Sequence, residues 1–257
     1  MPDDNNQIGF RQQITERGTI AHVSVGARTA SYLNSAALSQ HLTFGPAVNP
    51  LDSALSAALD RIAELNRDGY GGAALDREIE SQVSRLRPVF NSAVMACRDI
   101  RENLQVRRAR ALTVADANGA TLRGDLRRWF ESHELPQRIA LAFDCDWNLG
   151  AAIIEAGQKW SGLDADLWER FEARFMALNH VKIAGLDASH VIASTTEFLT
   201  GAGTDHAAAM AAAESAVKAM HAEAELLDLA EGYLQAVLRA LMLVSGKPAT
   251  EITGLPA

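Results

Sequence analysis

Residues Thr204–Ser245 read TDHAAAMAAAESAVKAMHAEAELLDLAEGYLQAVLRALMLVS, and the fold class follows from this stretch. It contains no proline and a single internal glycine, Gly232. Alanine, leucine, glutamate and methionine dominate it, and all four lose little rotamer freedom in a helix. Thr204 is a good N-cap, Asp205 suits the first turn, and Gly246 with Pro248 supplies the stop. The resulting helix would span roughly 60 Å, where an average globular helix has about 11 residues. Met210, Ala213, Val217, Met220, Ala224 and Leu227 alternate three and four apart, an apolar seam suited to a facing helix. Past Glu231 the seam widens. Leu234, Val237, Leu238, Leu241 and Val244 leave little polar surface, so this end has to be buried on several sides.

Upstream, a second helical pattern begins at Pro50-Leu51-Asp52 and runs to about Asn66, with Leu51, Leu55, Leu59, Ile62 and Leu65 on one face. Gly69-Tyr70-Gly71-Gly72 ends it. A third pattern starts near Ala73 and carries Leu75, Ile79, Val83, Leu86, Phe90, Val94, Cys97 and Leu104 at spacings of three and four. The short link predicts an antiparallel hairpin, and Pro88 predicts a kink or break in its second helix. Asn118-Gly119, flanked by Leu112, Val114, Thr121 and Leu122, has the preferred residues of a tight β-hairpin turn, with a plain loop as the alternative. Further helices are expected over residues 126–134, 136–160, 164–183 and 185–199, the third with Leu167, Phe171, Phe175, Leu178 and Val181 inward and Trp160 against Phe171 or Phe175.

Residues 1–50 lack helical periodicity and hold Pro2, Pro46 and Pro50. Within them Ile20–Val25 reads as a short strand with Ala21, Val23 and Val25 on one side, and Ala27–Ser39 as a weak helix. The expected class is therefore all-α: an antiparallel helical bundle of hairpins with two long helices, an extended N-terminal arm and at most one small β-hairpin. The expected divisions are the arm over 1–50, a helical hairpin over 51–110, the β-hairpin or loop over 111–123, and a bundle over 124–257.

Composition narrows the function. Only 6% of the chain is aromatic, so its helices must pack closely through small residues. A net charge of −8 argues against a surface devoted to nucleic acid or anionic lipid. Cys97 and Cys145 are too few and too far apart for a disulfide framework or a metal knuckle, and are expected as buried thiols in a reducing compartment. The acidic, polar N-terminus is not a secretory signal, and no apolar run approaches the ~18 residues of a membrane span. The expected location is cytoplasmic, or within a particle assembled there.

Signatures of catalysis are missing: there is no GxxxxGK[ST], GxSxG, HExxH or CxxC. Glu214, Lys218, His221 and Glu225 share a helix face and, with Glu169 or Glu172, have the residue types of a metal site; a solvated, ion-paired face explains them as well. Asp144 and Asp146, two apart on the expected helix, diverge. Asp187, Ser189 and His190 have the types of a hydrolase triad but crowd into four residues without a nucleophile elbow. Gly201 and Gly203 are expected in a flexible turn. No enzyme activity, cofactor, metal ligand or catalytic residue is expected.

One charge feature stands out. Arg98, Arg101, Arg107, Arg108, Arg110, Arg123, Arg127, Arg128 and Arg138 face six acids and no lysine between positions 98 and 138, a local excess of about three positive charges in an acidic chain. Arg107, Arg108, Arg110, Arg123, Arg127 and Arg128 are the candidate contacts, to the acidic surface of another copy or to phosphates, with an ordinary solvated surface as the third reading. Long alanine-rich helices and the apolar C-terminal end predict a structural or assembly protein, a homo-oligomeric subunit of a virion, tail, secretion or filament particle. Leu234, Leu238 and Leu241 are its expected self-association residues. The alternatives are a nucleic-acid-binding module using the arginine segment, and a ligand- or metal-binding helical bundle with enzymatic activity.

Overall fold

The computed structural model describes residues 7–116, 118–193 and 201–254. Its elements are strands β1 (Ile8–Thr15), β2 (Gly18–Val25) and β3 (Arg28–Ser35), then helices α1 (Ala36–Ser39), α2 (Gly45–Arg67), α3 (Gly72–Leu112), α4 (Ala120–Glu131), α5 (Leu135–Phe143), α6 (Trp147–Ala156), α7 (Gln158–Ser161), α8 (Ala165–Ala184) and α9 (Leu186–Ser189). Strands β4 (Val191–Ala193) and β5 (Gly201–Thr204) precede α10 (His206–Ser245) and α11 (Ala249–Thr253). The fold is mainly helical, and no helix among the described residues is long and apolar enough to cross a membrane. Two compact units divide the chain, Met1–Asn103 with Glu223–Ala257 (unit 1) and Leu104–Ala222 (unit 2). Helices α3 and α10 contribute residues to both.

In unit 1 the helical stripes read from the sequence are buried. Leu51, Leu55, Leu59, Ile62 and Leu65 of α2 face inward, as do Leu75, Ile79, Val83, Leu86, Phe90 and Cys97 of α3. Leu227, Tyr233, Leu234, Val237, Leu241 and Val244 of α10 are buried too. Helix α2 starts at Gly45, not Pro50, because Pro46 already occupies its first turn, where a missing N–H costs nothing. Helix α3 runs through Pro88 as one unbroken helix. Long-range polar contacts tie the pieces together. Arg101 pairs with Glu231, Lys247 with Glu80 at 2.6 Å, and Arg87 donates to the carbonyls of Glu251 and Ile252 in α11.

The expected arm is instead a three-stranded antiparallel meander, β1-β2-β3, packed on α2. Ala21, Val23 and Val25 do share the buried side of β2, but the weak helix expected over 27–39 is strand β3 followed by a single turn of helix. Its alternation explains the correction: Tyr32 and Asn34 point in while Ser31 and Leu33 point out, a period of two. Gly18 makes the first turn possible. Its φ is +129°, and a Cβ there would lie 2.1 Å from the Asn34 carbonyl oxygen.

Unit 2 is organised around Phe130, Ile153, Phe171 and Phe175, all inaccessible. Ala177, Val181, Ala209 and Ala213 form a second small cluster where alanines bring α8 and α10 close. Trp160 stacks on Phe130, not on the expected Phe171 or Phe175, at 5.5 Å between ring centroids. Three more expectations are corrected here. The β-hairpin at Asn118-Gly119 is absent among the described residues: α3 extends to Leu112, Thr113–Asp116 form an irregular link, and Gly119 leads straight into α4. Asp116 explains this, since its carboxylate accepts from the N–H groups of Asn118 (3.1 Å) and Gly119 (3.3 Å), a local bond that competes with strand pairing. The helix expected over 136–160 is three helices, and Asp144 and Asp146 lie at its first joint, Asp146 capping α6 through the Leu149 N–H. The helix expected over 185–199 stops at Ser189. Gly201 and Gly203 lie in β5, paired with β4, and residues 194–200 are outside the described ones.

Candidate functional site

A groove of about 440 Å³ opens in unit 2 between the C-terminal turns of α3, the second half of α8 and the first half of α10. Asn179 fixes its back wall. This fully buried amide donates to the carbonyls of Ala111 (2.8 Å) and Thr113 (3.0 Å) and accepts from the Trp147 indole N–H at 2.9 Å. It thereby satisfies carbonyls at the end of α3 that a helix terminus leaves without partners. Lys182 covers the Trp147 ring at 3.1 Å from the centroid, closing the outer side of the same corner. The groove floor is apolar, with Met176, Val217 and Met220, and its mouth carries Ile183, Arg107, Arg110 and His180.

The six arginines expected to meet a partner are mostly committed inside unit 2. Arg108 pairs with Glu172 (2.5 Å), Arg127 with Glu155 (2.9 Å) and Arg128 with Asp125 (3.7 Å). Arg123 is buried at 4% exposure; it pairs with Glu155 (2.8 Å) and donates to the Asp116 carbonyl (2.7 Å), clamping the α3–α4 link to α6. Arg123 therefore decorates no surface. Arg107 and Arg110 meet at the groove, and Arg110 makes no ion pair among the described residues.

The leucines expected to join copies are used within the protomer. Leu234 and Leu241 are buried in unit 1 and Leu238 is half-buried, so this stripe of α10 is part of the unit's own core. The triad types do not assemble either. Ser189 Oγ lies 3.3 Å from His190 Nδ1, but its hydroxyl donates to the Leu186 carbonyl (2.9 Å). The same His190 nitrogen also faces that carbonyl (2.9 Å), and Asp187 binds His206 (3.0 Å) in place of His190. Glu172 already accepts from Arg108 and from the Trp168 indole, and no group of three or more metal-ligating side chains occurs among the described residues.

The N-terminal sheet presents a second open feature. Gly26 N–H donates to the Gln7 carbonyl at 3.0 Å, so alternation makes Gly9, Arg11, Gln13 and Thr15 bond to β2. The main-chain groups of Ile8, Phe10, Gln12 and Ile14 consequently face away from the sheet. Ile8 is capped there, its N–H donating to the Asn66 side chain at 2.8 Å. Ile14, on the sheet's inner face, is 85% exposed.

Sequence reasoning missed Asn179 and the free edge of β1. Asn179 left a signal, an uncharged polar residue next to Leu178 on the apolar stripe of α8, where a buried amide requires partners. The edge left none, because strand neighbours are set by tertiary pairing. No protein family model, curated protein or solved structure matches this chain.

Proposed function

We propose that the protein is a non-enzymatic, self-associating subunit of a larger assembly, and that copies join through the free edge of β1. One observation carries the reading: Phe10, Gln12 and Ile14 turn their main-chain groups outward along a regular edge with no proline and no bulge in its register, the protections that isolated sheets use. A two-fold antiparallel pairing about Gln12 places Phe10 opposite the partner's Ile14 and Arg11 opposite the partner's Gln13. That register covers the exposed isoleucine with an aromatic ring and brings no like charges face to face.

The test is solution mass by light scattering for the wild type, Gln12→Pro and Ser31→Pro. The Gln12 N–H points to the free edge of β1 and the Ser31 N–H to that of β3, so neither proline removes a main-chain bond within the sheet. Each loses one exposed side-chain bond, Gln12 to Ser56 and Ser31 to His22. The wild type should be a dimer or a multiple of it, Gln12→Pro a monomer with unchanged circular dichroism, and Ser31→Pro like the wild type. A wild-type monomer at high micromolar concentration overturns the proposal.

A further inference from the structure

We infer that the groove of unit 2 binds an amphiphilic anion, an alkyl chain carrying a single carboxylate, sulfonate or phosphate head. Its volume, about 440 Å³, is within the range of small-ligand sites. The floor offers nothing polar to a ligand. Met176, Val217 and Met220 are apolar, and the one amide at the back, Asn179, has both its oxygen and its nitrogen engaged by Trp147, Ala111 and Thr113. Methionine side chains adapt to an irregular chain more readily than branched ones. Ile183 stands about half exposed at the mouth, apolar surface that an alkyl chain would cover.

The charge at the mouth selects the head group. The chain has 32 acidic and 24 basic residues, yet among the described residues the ionisable side chains lining the groove are Arg107, Arg110 and His180 alone. Among the described residues no carboxylate lines it to repel an anion or attract a cation. Arg110 has no internal acid among the described residues, so binding an anion there breaks no existing pair. A guanidinium offers paired donors to a carboxylate or phosphate oxygen, and beside an apolar floor such a bond is stronger than at an open surface.

The experiment titrates the full-length chain with anilinonaphthalene sulfonate, itself an apolar anion, and displaces it with dodecanoate or dodecyltrimethylammonium. Saturable binding of one equivalent per chain is expected, displaced by dodecanoate at concentrations at least about tenfold below those needed of the cation. Arg110→Glu should weaken dodecanoate about tenfold or more and Arg110→Lys much less, a split that loss of packing alone would not produce. Ala216→Trp fills the groove from its exposed rim and should abolish binding. Unchanged tryptophan fluorescence of the free Arg110 variants, and unchanged far-ultraviolet circular dichroism and urea midpoint of free Ala216→Trp, show that unit 2 remains folded. Equal displacement by the anion and the cation, or Arg110→Glu binding like the wild type, overturns the inference. Failure to dimerise leaves it untouched, since the groove and the β1 edge belong to different units.

Discussion

Tyr233 donates its hydroxyl proton to the Asp52 carboxylate across 3.2 Å, and the same ring meets Tyr32 edge to face with 6.0 Å between centroids. These contacts join α10, α2 and β3 inside unit 1, and both rings are buried. Burial pushes the Tyr233 hydroxyl well above its ordinary value of 10.0, and the Asp52 charge, Tyr32 and the hydrogen bond to Asp52 act in the same direction. Burial also pushes Tyr32 up, opposed by the Ser56 hydroxyl and helped by Asp52 and Asp60. Groups raised on folding contribute stability that is complete below the unfolded value and lost as pH rises above it. Unit 1 is therefore expected to lose stability above about pH 10, with tyrosinate absorbance appearing together with loss of helix. Tyr233→Phe should cost about 1 kcal/mol at neutral pH and flatten this alkaline limb.

All four tryptophans (Trp129, Trp147, Trp160 and Trp168) belong to unit 2, and all three tyrosines (Tyr32, Tyr70 and Tyr233) to unit 1. The stabilities of the two units can thus be followed by separate signals.

Leu234→Ala and Leu241→Ala should each destabilise unit 1 by about 2–5 kcal/mol, the cost of a cavity in a packed core. Solution mass should not change. A variant that dissociates while keeping its stability would return the interface to this stripe of α10.

Arg123→Met is expected to cost unit 2 about 2–3 kcal/mol in urea unfolding followed by tryptophan fluorescence. The figure is below that for a fully buried pair because Glu155 keeps Arg127 and some solvent. Gly119→Ala should also destabilise, since its Cβ would come within 2.7 Å of both the Arg123 guanidinium and the Asp116 carboxylate. Gly124→Ala, in the same helix, meets nothing closer than 4.0 Å and should stabilise by about 0.5–1 kcal/mol.

Gly232→Ala should stabilise unit 1 by about 0.5–1 kcal/mol in thermal or urea unfolding. The position is exposed in the middle of α10, and an added Cβ has no neighbour within 4 Å. A loss of stability would show that the glycine serves a contact between copies.

The candidate sites were less legible than the helices. Arginine enrichment over 98–138 led to Arg107 and Arg110, which do flank the groove, but composition could not separate them from Arg123, which is buried. Charge is a property of a residue, whereas its availability depends on which acids the fold brings near. The same holds for Leu234 and Leu241: their apolar stripe demanded burial, and unit 1 meets that demand within one chain.

The sequence by itself determined the long helices, most of their inward faces and the strand at Ala21, Val23 and Val25, because periodicity and capping act over a few neighbouring residues. Tertiary structure alone decided the rest. Gly18 turning beneath Asn34, Asp116 bonding its own loop instead of opening a hairpin, Asn179 closing the end of α3 and the outward-facing edge at Gln12 all depend on groups far apart in the chain or on competing local bonds. Those choices are made by packing and hydrogen-bond satisfaction, to which no single stretch of residues has access.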